Sequence, residues 1–408
     1  MRGHLLALLA PLALGACTGT QELDYAHDTA WPSGPELPAL GGGRIVVTNS
    51  LDDTVSLLDL DTMGSPDWGE LARVPVGLNP VELEGPHHAA FSPRGDYYYV
   101  GLSYFVPGGG SGPHGNHGSG TADGYALKLD AKTHRLVGSV RVDRNPGDLI
   151  LSADGRTLYQ THFDLMKIQE AAKSGITDES KMAARLAILD ADTMRRKAMV
   201  PLCPAPHAVR LSPDEKRAYA ACFSDEVAVV QLDTPAPTVI ARVKMPNAGS
   251  VLAPRHEPYA LTLSPTDGAL WVSSRKSHTV HYLDPQSLTV RPERAIYGLR
   301  GAPMFGVVSR DGKTLYLPYQ AVDAVAVIDT ATSAVKGEIH LSEAGCLNVH
   351  QVELTPDGRH ALAVCEGDHQ GPGTLHVVDL QAGAVGEVVK TVKVGIYPDS
   401  VGILRSTP

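Results

Sequence analysis

From about residue 43 the chain reads as short runs of alternating apolar and polar residues, each ended by a turn signal. A period of two is the signature of half-buried strands. The runs recur in a fixed order. A first strand closes on a turn of the Ser/Thr-Pro-Asp-Gly kind: AAFSPRGD, LILSADGR, AVRLSPDEK, ALTLSPTDG, GVVSRDGK and VELTPDGR. A second strand follows, as in YYYVGLS, TLYQTHF, RAYAACFS, ALWVSSRK, TLYLPYQ and HALAVCEG. A third ends in Asp, at Asp59, Asp130, Asp190, Asp233, Asp284, Asp329 and Asp379. There a carboxylate can accept the backbone N–H groups of the turn. A fourth strand completes the unit, as in LVGSVRV, VIARVKM and EVVKTVKV.

Four strands repeating every roughly 45 to 60 residues predict propeller blades. Seven third-strand aspartates predict seven of them. The first repeat, RIVVTNSLDDTVSLLDLDT, starts at its second strand, and the chain end, IYPDSVGIL, supplies a lone first strand. Pairing the two closes the ring and removes open sheet edges. The expected fold is therefore all-β: a seven-bladed β-propeller of four-stranded blades over residues 43–405. The stretch Val46-Val47-Thr48-Asn49, the SPDG-like turns and the strand-ending Asp-Thr pairs resemble the bacterial YVTN-type propeller repeats. Propellers of that kind serve as surface-layer proteins, sugar-lactone hydrolases and domains of copper or quinone oxidoreductases. The resemblance thus implies a fold and leaves the activity open.

Composition narrows the class. Gly and Pro number 41 and 30 while aromatics are only 5%, which suits many turns and short elements. A net charge of -10 argues against nucleic acid as a partner, because that binding needs a basic footprint. The start, MRGHLLALLAPLALGAC, has a basic end and an apolar run too short to span a bilayer. Its Leu14-Gly15-Ala16-Cys17 resembles a lipobox, which implies a signal peptide over 1–16 and a lipid on Cys17. Residues 17–42, polar and rich in Gly and Pro, read as a flexible tether. The expectation is an exported lipoprotein in the cell envelope, at the outer membrane of a Gram-negative bacterium. Its only membrane contact would be the lipid.

Four further cysteines sit in two matched segments. CPAPHAVRLSPDEKRAYAAC and CLNVHQVELTPDGRHALAVC both carry Cys, then His four residues on, then Cys fifteen residues later. In an exported chain an even count reads as disulfides. Counting back from each hairpin turn sets His207 opposite Cys222 and His350 opposite Cys365. The pairs Cys203–Cys222 and Cys346–Cys365 are then within reach. The rival reading is two Cys2His half-sites for zinc or copper.

Aligned on the turn Ser or Thr, a Pro falls six residues earlier at Pro86, Pro146, Pro206, Pro258 and Pro303. Val349 takes that place once, and Pro398 matches in the last strand. The next residue in each repeat is expected at the channel mouth: His87, Gly147, His207, Tyr259, Met304, His350 and Asp399. Behind it come His88, Asp148 and Phe305 among others. Imidazoles converging there suit copper, zinc or iron, and Met304 would favour copper. No cofactor is otherwise indicated. His114, His117, His162, His256, His278 and His369 fall in or beside loops on the same face, and the insert Leu165 to Met182 reads as partly helical. Three readings stand open. A monomeric ring binds a protein or small ligand at its mouth; a metal centre uses His87, His207 and His350; or a lactonase-like hydrolase uses Asp148 and Asp399 with a histidine base. No G-x-S-x-G elbow, HExxH or CxxCH sequence is present.

Overall fold

The computed structural model describes residues 43–78, 83–104 and 117–405. The expected signal segment, the lipidation site Cys17, the tether and His114 lie outside the described residues.

Seven four-stranded antiparallel sheets make up the fold, each in sequential strand order except the first. That one pairs Pro398–Arg405 with Gly43–Asn49, register Val46 to Gly402, so the two ends of the propeller share a blade. Innermost strands of neighbouring blades touch all the way round. The inner strands that matter below are Pro398–Arg405 in blade 1, Glu84–Phe91 in blade 2, and Pro146–Leu151 in blade 3. Blades 4, 5 and 7 contribute Pro206–Leu211, Pro258–Leu263 and Val349–Leu354.

The core lies between blades. One cluster joins Tyr99, Val140 and Ala126 of blade 2 to Leu149, Leu158 and Leu189 of blade 3, all buried. Each fully buried aliphatic side chain contributes on the order of 1.5–3 kcal/mol, and every interface repeats this packing. The turns are fixed by the repeat's own chemistry. The Ser152 hydroxyl donates to Asp154 at 2.6 Å, Asp154 accepts the Arg156 N–H at 3.0 Å, and Gly155 takes a φ of 73°. In blade 4 the glycine position is Glu215, held at φ 54°. The strand-ending aspartates behave as expected at Asp130, Asp190, Asp284 and Asp329, each accepting two backbone N–H groups. Asp233 departs from this, lying beyond its strand and taking the Gln231 side chain instead.

Both disulfides are present, with Cα–Cα separations of 6.0 Å for Cys203–Cys222 and 5.5 Å for Cys346–Cys365. These are ordinary spans for the bond, and the Cys2His half-sites are thereby excluded. The register differs from expectation by one residue. Pro206 faces Cys222 and Val349 faces Cys365, and a β-bulge follows each. A bulge falls at the same place in blades 1, 2, 3 and 5. The extra residue is the one expected at the mouth. A bulge re-aims side chains, so His87 and His88, adjacent in sequence, lie edge to face with centroids 4.3 Å apart.

The insert after blade 3's second strand forms two helices, Leu165–Lys173 and Glu179–Met182. Asp164 caps the first by accepting the Lys167 N–H at 3.1 Å. Its buried Ile168 and Ala171 pack with Phe163 and Met182. No helix among the described residues is long and apolar enough to cross a membrane.

Candidate metal centre

The bulged residues of five blades converge. His87 Nε2 lies 3.1 Å from His207 Nε2, and His87 Nδ1 lies 2.6 Å from an Asp399 carboxylate oxygen. Ser50 also donates to that oxygen. His207 stacks on Tyr259 at 3.8 Å, and the Arg275 guanidinium lies over the Tyr259 ring, 5.5 Å from its centroid. His350 Nδ1 bonds the Asp399 main-chain carbonyl. Gly147 contributes no side chain to this layer: a Cβ there would fall 2.8 Å from Thr161 Oγ1.

His117 completes the group from a loop. His87, His117 and His207 each bring a ligand nitrogen to within 4.8 Å of the others. The loop is held at its end. Asn145 accepts the Gly120 N–H at 2.7 Å and donates to the Gly120 carbonyl at 2.9 Å. Gly118 has a φ of 76°, and a Cβ on it would lie 2.7 Å from the Phe163 carbonyl. The His117 ring stacks on Phe163 at 4.8 Å. Phe163 is the residue that the helical insert braces, so the insert acts on the site by fixing the wall behind His117.

The residues expected at the channel mouth are sealed. His87, His207, His350 and Asp399 are each 0% exposed, and His117 is 4%. The reason is that His117 and Phe163 pack against the bulged residues His87 and His207. Met304 is buried, in the apolar cluster that also holds Phe163, Tyr259 and Phe305. Of the other loop histidines, His162 bonds the Arg185 carbonyl, His256 the Pro246 carbonyl and Ser277, and His369 the Glu366 carboxylate. His278 takes a left-handed φ of 53°.

Electrostatics favour the neutral form at His88, His117 and His207. Burial, then the neighbouring histidines, pushes His88, His117 and His207 well below the ordinary imidazole value. Burial works against the Asp399 carboxylate, yet His87 first, then His350 and Ser50, hold its pKa below the usual value. Burial drives the Tyr259 phenol well above its usual value, so it stays protonated.

His88 faces the other way. Its Nδ1 lies 3.4 Å from Asp148, and Nε2 is buried with no partner among the described residues. Both residues line a cavity of about 350 Å³ that continues along the inner strands past Arg210, Gln351 and Glu353. Arg210 is paired to Asp148 there.

No family model matches the chain, and neither does any curated protein. Solved structures do match. The periplasmic gluconolactonase of Pseudomonas aeruginosa is similar over 90% of this chain and 100% of its own, at a TM-score of 0.63 and 18% identity. Hydrazine synthase of Kuenenia stuttgartiensis is similar over 79% and 96%, with a TM-score of 0.57 and 17% identity. Dihydro-heme d1 dehydrogenase NirN, solved in complex with DHE, is similar over 91% and 77%, at 0.55 and 18%. At these identities the likeness shows the fold alone. Fold and site together define a seven-bladed β-propeller with a buried histidine cluster where its blades meet.

Proposed function

We propose that this propeller binds a transition-metal ion on His87, His117 and His207. The supporting observation is the 3.1 Å approach of two Nε2 atoms, with one imidazole backed by a buried carboxylate. A tetrahedral ion with bonds near 2.0–2.1 Å sets its nitrogen ligands about 3.3 Å apart, close to the spacing found. The Asp399–His87 pair is the outer-shell arrangement that fixes a ligating tautomer: Nδ1 donates to the carboxylate and Nε2 presents its lone pair. One proton can satisfy the His87–His207 contact, but an ion would satisfy both lone pairs at once. Three imidazoles suit copper, zinc or iron. A bound ion would supply redox or Lewis-acid chemistry. The residues around it exclude water and keep the His117 and His207 imidazoles neutral.

In the same proposal the chain is exported and anchored through a lipid on Cys17, with the YVTN-type repeats as its framework. Two disulfides support an oxidising compartment. A second reading has its own observation: the His88–Asp148 pair faces the 350 Å³ cavity beside Arg210. That is a general-base geometry open to a small lactone or other ligand. Equilibrium metal binding separates the readings. Copper or zinc affinity is expected to fall at least about 100-fold in His207→Ala and to stay within about threefold in His88→Ala. Lactone hydrolysis lost in His88→Ala, with no metal uptake in any variant, would favour the second reading.

A further inference from the structure

We infer a second metal site, formed by His350, Glu366 and Asp399, so that the centre of the ring holds two non-equivalent ions linked through Asp399. The inference deepens the metal reading above and rests on it, since Asp399 serves both positions. Its own observations are separate. The three side chains each place a ligand atom within 4.8 Å of the others, and all three residues are 0% exposed. They come from different places in the fold: His350 from the bulge of blade 7, Glu366 from just after the second strand of that blade, Asp399 from blade 1. The Cys346–Cys365 bond ties the loop entering blade 7 to the residue before Glu366.

The two oxygens of Asp399 have different surroundings. One takes His87 and Ser50, while Oδ1 is buried with no partner among the described residues and lies 4.0 Å from His350 Nδ1. A buried carboxylate oxygen without a donor is costly, and a cation on that side removes the cost. Glu366 is already oriented, accepting from Gln320 at 2.9 Å and contacting His369 Nε2 at 2.9 Å. His369 in turn stacks on Tyr397 at 3.9 Å. Two buried carboxylates and one imidazole form a harder donor set than three imidazoles. That set suits zinc, manganese(II) or iron(II), while the three-histidine group favours copper or zinc. A third group, Cys346, Cys365 and His376, carries no ion here because both sulfurs are in the disulfide.

The test is a metal count on the full chain, without an affinity tag, stripped by chelation and dialysed against zinc. Two zinc ions per chain are expected in the wild type, and one in either Glu366→Gln or His207→Ala. Glu366→Gln keeps the size of the side chain and an acceptor for Gln320, and its fold is checked by circular dichroism. A measurement on the unmutated chain backs this up. After one equivalent of copper, added Mn2+ is expected to bind once, read as loss of the free-ion paramagnetic resonance signal. One zinc in the wild type, retained in Glu366→Gln, with no Mn2+ uptake, overturns this inference and leaves the three-histidine centre standing. Two zinc ions unaffected by Glu366→Gln overturn it as well. No zinc at all overturns both readings.

Discussion

At the level of single residues, Asp399 is the most informative. It contributes a carboxylate oxygen to His87 and its main-chain carbonyl to His350. In the proposed three-histidine site it would orient His87, so Asp399→Asn is expected to weaken binding there by about 10–100-fold without unfolding the ring. A titration with copper, read beside a thermal melt, checks both halves of that statement. His87, His207, His350, Tyr259 and Asp399 could be placed together from sequence because strand residues inherit their position from the repeat. His117 could not be ranked with them. It sits in an insert with no counterpart in other blades, and only Gly118, Gly120 and Asn145 show how the loop is held. The one available signal was the His-Gly-rich run itself.

At the level of elements, the bulge explains both what could be read and what could not. Hydrophobic alternation and turn chemistry carry the strands. A one-residue bulge leaves that alternation intact on either side, so the pattern does not reveal it. Its consequence is the shift that sets Pro206, not His207, opposite Cys222. The loop carrying His117 depends on backbone that only glycine fits easily. Gly118→Ala would drive its Cβ into the Phe163 carbonyl, and metal affinity should fall while the melting temperature changes little. Each disulfide closes a short loop, and its loss is expected to cost on the order of 3 kcal/mol. Thiol titration of the unfolded, unreduced propeller should find none of Cys203, Cys222, Cys346 and Cys365 reactive; four reactive thiols would refute the pairing.

At the level of the whole molecule, stability should depend on pH in a definite direction. Burial lowers His134, His281 and His376 to about 4, with Arg44 adding to the effect at His134 and His256 at His281. Unfolding restores their ordinary value near 6.5, so the unfolded chain binds more protons between the two. Stability is therefore fully present above about pH 6.5 and is lost as pH falls toward 4, by about 3 kcal/mol per histidine. Melting temperatures from pH 7 to 4 should fall on that curve, less steeply in His376→Gln. Ring closure was legible because the first repeat lacks a strand that the last one supplies. The tight closure over the histidines was not, because it depends on one loop and one phenylalanine meeting across two blades.

The account's central claim is an ion held by three imidazoles from His87, His117 and His207. X-ray absorption on the Glu366→Gln chain, loaded with one equivalent of copper or zinc, tests it most directly. The predicted spectrum has three imidazole nitrogens at about 2.0–2.1 Å, falling to two in His117→Ala. A chain that takes up no ion, or an ion whose shell shows no imidazole scattering, would contradict it.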